Sequence, residues 1–373
     1  MRRWDVYRGR RRRSSRLPSI LLVLVSVGFL AFLVLFFTLP GYLVYSKDGV
    51  KLELPGMVSE ETLSVEEEEP AALQETVEEA AAELKYVNPD YSSLNMANTA
   101  DLGLTQSIFI PYANMNEAGL TKAVSRAREI DIKGLTMELC DESGQLLWAS
   151  KTDIATNYAL GGTYDLKKNV EELNSQGYRL TAVISCCINS LLVSRNPYWA
   201  LQVGNGIVYS DRQGAWLDPW NQNVRQHVID LTKELMEMGF AEVVLNHVEH
   251  PNAAVLYTRT MSEEMSREAC VTNFAIAVRK GVQETIDATG ARLSAMMDNA
   301  ALNDTGDAID NGQNLSYMLQ VFDRVYEYTE SYQEANLVVA LHIDSTERFV
   351  PILSWVFPGG SWAENYFNKG KVS

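Results

Sequence analysis

From Leu104 onward the chain alternates short apolar runs with amphipathic helical stretches, and no other feature limits the fold as strongly. Ile108 to Ile110 reads as a first strand and Gly119 to Ile130 as a helix. Ile132 to Leu139 is a second strand, and Asp165 to Ser175 a helix stopped by Gly177. Arg179 to Cys187 is the third strand. Val224, Val228, Leu231, Leu235 and Met238 then share one helical face, and Gly239 stands where a left-handed residue ends a helix. Glu242 to Asn246 is the fourth strand. A long helix (Val271, Phe274, Val278, Val282, Ile286) stops at Gly290, before a fifth strand from Arg292 to Met297. Leu315 to Phe322 is expected to be helical, with strands near Val325 and at Leu337 to His342. That leaves only Phe349 to Phe357 for an eighth unit.

Strand-helix alternation with little hairpin chemistry means that each strand returns through a helix, so the sheet is parallel and the class is α/β. No P-loop and no G-x-G-x-x-G occurs, which removes the best support for a nucleotide-binding doubly wound sheet. The length from residue 104 to the end suits a (β/α)8 barrel of the TIM type. Its eighth unit is the part with the least sequence behind it.

The segment before the barrel has a different character. Eight arginines and one acid, Asp5, fill the first sixteen residues, a sum of +7. Ile20 to Leu39 follows with twenty residues and no charge. At ~1.5 Å per residue this run spans the ~30 Å hydrocarbon core of a bilayer. The arginines on its N-terminal side put the N-terminus in the cytoplasm and everything after residue 40 outside. A cleaved signal peptide has a shorter apolar run and a small-x-small site, which Thr38-Leu39-Pro40-Gly41 does not provide. The expectation is therefore a single-pass signal anchor in the cell membrane, with the lipid bilayer as partner of residues 20–39. The domains expected are a basic arm (1–19), the anchor (20–39), a juxtamembrane segment and acidic spacer (40–98) and the barrel (99–373).

Charge decides what the exported part can meet. The net charge of −16 becomes −23 once the arginine arm is set aside, so a nucleic-acid backbone is excluded as the main partner. Ten of the acids are glutamates between Glu60 and Glu83, a density that self-repels and reads as a solvated spacer, with a helix conceivable over residues 71–85. Four cysteines (Cys140, Cys186, Cys187, Cys270) are too few for a disulfide scaffold, and the adjacent pair is read as small core residues on opposite faces of strand three. His247-Val248-Glu249-His250 offers three metal-ligating types in four residues. It runs from a strand end into Pro251, however, so the imidazoles point apart, and neither a metal nor a cofactor is expected.

Three landmarks carry a family resemblance: Asp141-Glu142-Ser143-Gly144 after strand two, Gly214-Ala215-Trp216-Leu217-Asp218-Pro219, and Gly239 through Pro251 around strand four. In order and spacing they resemble the glycoside-hydrolase-like TIM barrels related to the amylase-type barrels, common on exported or membrane-anchored proteins of Gram-positive bacteria. The resemblance covers roughly residues 104 to 345 and implies the barrel fold and a saccharide-related role. It also implies where acids should stand. The family ends strand four with Asp-Tyr-Ile-Arg-Phe-Pro, the aspartate being its key carboxylate; Asn246 and His247 stand there instead, with Glu249 in place of the arginine. Strand two usually shows Asp-Val-Lys-Asp against Glu138-Leu139-Cys140-Asp141. Strand five usually reads Ser-Ala-Asp-Val-Phe against Ser294-Ala295-Met296-Met297-Asp298.

Retaining glycoside hydrolysis needs one carboxylate to attack the anomeric carbon and a second to carry the proton. An asparagine amide does neither, and Met296 removes a second acid. These losses favour a catalytically degenerate barrel that binds cell-wall or other polysaccharide. An active hydrolase using the relocated carboxylates Glu249 and Asp298 is the alternative, and a structural barrel paired with another envelope protein is a third. The expected saccharide contacts are Glu138, Asp141, Trp216, Asp218, Asn246 and His247. Trp148, Trp199, Trp216 and Trp220 fall in loops after strands and could offer stacking faces, making a rim of amides and aromatics suited to neutral sugars.

Overall fold

The computed structural model describes the backbone of residues 43–46 and 49–52, and residues 91, 93–203, 206–252, 266–303, 311–329, 343, 345–356 and 360–368. The chain divides into two compact units, Met1–Ala82 and Glu83–Ser373. In the first, Leu43–Ser46 pairs antiparallel with Gly49–Leu52 as a short hairpin in the juxtamembrane sequence. The apolar run 20–39 and the helix considered over 71–85 lie outside the described residues. Among the described residues no helix is long and apolar enough to cross a membrane.

The second unit is built on a closed barrel of eight strands, all parallel. In chain order they are β1 (Gln106–Ile110), β2 (Gly134–Cys140), β3 (Arg179–Ser185), β4 (Glu242–Asn246), β5 (Arg292–Met296), β6 (Val325–Tyr328), β7 (Phe349–Leu353) and β8 (Trp362–Glu364). β8 closes on β1, with Ala363 opposite Ser107. The longer outer helices are α1 (Glu117–Glu129), α2 (Leu166–Ser175), α3 (Gln222–Met238), α4 (Arg267–Thr289) and α5 (Leu315–Val321). Each begins where its sequence offers a cap: Asn116, Asp165, Asn221, Ser266 and Asn314 accept the first free backbone N–H groups. Gly239 ends α3 at φ 113°, a left-handed conformation that suits glycine.

Strands one to five and the five helices fall where the periodicity puts them. The sheet's last quarter does not. Phe349–Leu353 is the seventh strand rather than the start of an eighth unit, and Trp362–Glu364 is the eighth. Leu337 to His342 lies outside the described residues, and all eight ladder positions are filled without it. The physical reason is local. Pro351 breaks the usual composition of a strand, and three residues are too few to show a period. β3 also ends at Ser185, so Cys186 and Cys187 lie just beyond the strand; both are free and buried, as are Cys140 and Cys270.

Alternate residues point into the barrel and form layers. The middle layer is apolar: Phe109, Val183, Val244, Met296, Tyr326, Val350, Ile352 and Ala363 make one buried cluster. Near the N-terminal end of the strands lies a charged layer. Glu242 of β4 receives Arg324 Nη1 at 2.8 Å and Ser294 Oγ at 2.6 Å, with both ionic side chains fully buried. Arg324 also donates to the carbonyls of Leu102 and Glu347, so one guanidinium ties the entry segment and the approach to β7 to the barrel floor. The strands' C-terminal ends carry Glu138, Ser185, Asn246 and Tyr328, and there the site is built.

Candidate functional site

A cleft of ≈ 490 Å3 opens at the C-terminal mouth of the barrel, where barrels of this kind place their chemistry. Its walls come from four strand ends and the loops that follow them. Glu138 projects from the end of β2 and Asn246 from the end of β4; Met296 and Tyr328 end β5 and β6.

The wall formed after β2 is held by its own turn. Asp141 accepts the Ser143 backbone N–H at 3.0 Å, which closes the Asp141-Glu142-Ser143-Gly144 loop. Gly144 has φ 80°, and a Cβ there would lie 1.8 Å from Asn189 Oδ1, so the loop packs directly on the next one. Ser190 and Leu191 donate their N–H groups to the carbonyls of Glu142 and Ser143, fastening the two loops and holding Glu142 at the cleft. Glu138 accepts the Tyr112 N–H at 2.8 Å. Burial, with the Glu142 and Asp141 carboxylates nearby, outweighs that hydrogen bond and pushes Glu138 up to about 7.

The opposite wall turns on His247. Its φ of 54° is left-handed, uncommon for a residue with a side chain, and costs on the order of 1 kcal/mol or more. Asn246 steadies the turn by accepting the His247 N–H on its own Oδ1 at 2.8 Å. The His247 ring shares a 3.0 Å hydrogen bond with Ser185 Oγ through Nδ1, while Nε2 lies 3.6 Å from Glu142. Burial lowers His247 to about 4, so the ring is neutral at pH 7 and the Glu142 contact is polar rather than ionic. Past this turn the chain presents Glu249 to the cleft. Asn311 Nδ2 donates to Glu249 Oε2 at 2.9 Å, and Gln313 bonds the carbonyls of Val248 and Met296 while accepting the Asp298 N–H. The 311–313 segment thus joins the loops after β4 and β5 and sets Glu249 and Asp298 in one wall. Burial first and the Asp298 carboxylate second raise Glu249 to about 7.

The structure therefore brings Glu138, Asn246, His247, Glu249 and Asp298 together around one cleft. It does not bring the other expected contacts there. Asp141 serves its own turn. Trp216 is 1% exposed and belongs to the core, its indole donating to Asp211 at 2.9 Å. Asp218 is buried and accepts the Trp220 N–H, holding the loop before α3. The tryptophans expected at a rim do not line this cleft either. Trp148 is buried and bonded to Glu234, Trp199 packs edge-on against Tyr158, and Trp220 lies under the Arg225 guanidinium. Loop backbone bridges, Ile188 to Trp216 and Ala200 to Leu217, turn this region inward.

Residues that the sequence did not single out take those places. Glu142 stands in a quoted motif but had no role attached. Gln213 and Gln313 gave no signal. Tyr328 does have one: it follows Tyr326 at a strand's period of two, and Tyr326 is an inward residue of the middle layer. Tyr328, a residue 45% exposed overall, lines the cleft, and Phe109 meets its ring edge-on at 5.5 Å. Among the described residues no group of three or more carboxyl, imidazole or thiol side chains is set to hold a metal.

A closed parallel barrel with carboxyls gathered at its C-terminal mouth is a TIM-type barrel with its site where such barrels build theirs. Residues 107–336 match the family described as "Putative glycosyl hydrolase domain", and the chain belongs to it. The glycoside hydrolase domain of PgaB (BpsB) from Bordetella bronchiseptica has the same fold, at a TM-score of 0.52 and 11% identity over 67% of this chain and 84% of that one. The catalytic domain of a beta-amylase from Paenibacillus polymyxa aligns at a TM-score of 0.48 and 11% identity, over 68% and 86% of the two chains. No curated protein matches in sequence.

Proposed function

We propose that the chain is a membrane-anchored, extracytoplasmic barrel that binds cell-wall or other envelope polysaccharide without hydrolysing it. The observation that carries this reading is Asn246. The residue ending β4 at the cleft is an amide whose oxygen already accepts the next backbone N–H, so it offers neither a nucleophile nor a base. Met296 at the end of β5 adds a thioether, which has no acid–base chemistry at all. A concave cleft with carboxyls, amides and one open aromatic ring retains what sugar binding needs.

One observation favours a second reading, residual hydrolysis. Glu249, raised to about 7 beside Asp298, has the protonation of a general acid. The two separate in one experiment. The full chain, in a detergent without a sugar headgroup, is titrated with cell-wall polysaccharides and assayed on chromogenic glycosides. Saturable binding without turnover supports the proposal. Turnover abolished by Glu249→Gln or Asp298→Asn replaces it with the second reading. No binding to any glycan would move the role to a protein partner in the envelope, for which Trp355 and Val356 after β7 are two adjacent exposed apolar residues, beside Leu104, Tyr198 and Ile207 elsewhere among the described residues.

A further inference from the structure

The cleft has one sign of charge. Glu138, Glu142, Glu249 and Asp298 all line it, and no lysine or arginine does among the described residues. His247 is there too, but its buried ring is neutral at pH 7. Burial is the chief cause of the raised values of Glu138 and Glu249, and the repulsion of neighbouring carboxylates adds to it. A cationic group in the cleft would relieve that repulsion and form charge-assisted hydrogen bonds with the same carboxyls. The cleft also holds an aromatic face. Tyr328, a residue 45% exposed overall, lines it and is braced by Phe109; burial of its phenol first, and the nearby Glu138 and Glu142 carboxylates second, hold that phenol protonated. An aromatic ring beside carboxylates suits a ligand with a flat, weakly polar face and a positive substituent at its edge. A bare divalent cation would use the carboxyls but not the ring, and among the described residues the acids do not converge as a metal's ligand set.

We propose that the mouth cleft selects amino sugars with free amines, a pyranose face resting on Tyr328 and its ammonium group paired with Glu142 and the neighbouring carboxyls. This rests on the saccharide-binding reading and narrows it from envelope polysaccharide in general to a de-N-acetylated hexosamine polymer.

The test is calorimetric titration of the full chain, in the same detergent, with three hexasaccharides: β-1,4-linked glucosamine, its fully N-acetylated form, and the neutral glucose analogue. The glucosamine hexamer is expected to bind roughly tenfold or more tightly than either of the others. That advantage should disappear in Glu142→Gln, a side chain 39% exposed and so removable without disturbing the core. Tyr328→Ala should weaken all three ligands together. Equal binding of the three sugars would overturn amine selection and leave saccharide binding standing. Binding of none would overturn both. Preference for the glucosamine hexamer that survives Glu142→Gln and Tyr328→Ala would place the polycation on the acidic spacer, and overturn the proposal too. So would displacement of the sugar by millimolar calcium chloride at constant ionic strength.

Discussion

Glu138 and Glu249 are the residues whose chemistry is most altered by their surroundings. Each is raised from 4.5 to about 7, chiefly by burial. A carboxyl with a raised folded value binds its proton more tightly in the folded chain than in the unfolded one. Its contribution to stability is full below about 4.5 and is lost as pH rises to about 7, an upper limit on the order of 3 kcal/mol each. Three buried histidines run the other way. His227, His247 and His250 are lowered by burial, to about 4, 4 and 3, so their contribution is lost as pH falls through 6.5 toward those values. Parent and variant share the histidines and Glu138, so their difference isolates Glu249. Glu249→Gln is expected to gain stability over the parent between pH 5 and 8, the gain growing with pH and levelling above about 7. Thermal unfolding across that range measures it; a gain that does not change with pH would contradict the assigned protonation.

At the scale of elements, the barrel floor matters most to stability. Arg324 on the approach to β6 and Glu242 on β4 are a fully buried pair, and Arg324 reaches two further segments through backbone carbonyls. Arg324→Met leaves Glu242 charged and unpaired, and is expected to cost ~3–5 kcal/mol in denaturant unfolding. Adding Glu242→Met should recover much of that loss, because the uncompensated charge is then gone; no recovery would show that the carbonyl ties dominate instead. These elements also show what was legible in the sequence. Strands one to five announced themselves through β-branched and aliphatic runs between helices with caps, and the glycines at 239 and 290 marked two helix ends. β7 and β8 were not legible, since Pro351 and a three-residue length hide them while Leu337 to His342 has the better strand composition. The site divided the same way. Strand ends located Glu138, Asn246 and Asp298. Trp216 was misplaced because composition does not say whether a loop indole faces in or out, and Gln313 acts across 15 residues to Asp298, beyond any local pattern.

For the whole molecule, the arrangement proposed is a basic arm inside the cell, a span at 20–39, an acidic spacer and a barrel outside. The charge split of +7 and −23 supports it, as does the uncharged length of the span. The full chain is expected to stay with membranes after alkaline carbonate washing and to lose residues beyond 40 to protease added outside intact cells. Release by carbonate, or protection from the protease, would contradict that orientation. Beside the ten glutamates of the spacer sequence, the cleft gathers four carboxyls, none of them at the strand-four and strand-five positions where the family resemblance places its acids. The central claim is that this barrel binds glycan and leaves its bonds intact. Mass spectrometry of a saturably bound oligosaccharide, after long incubation with the full chain in 18O-labelled water, tests it most directly. The account predicts intact oligosaccharide with no 18O at a new reducing end, the same as with Glu249→Gln. Shortened products carrying 18O, absent from the Glu249→Gln and Asp298→Asn variants, would contradict it.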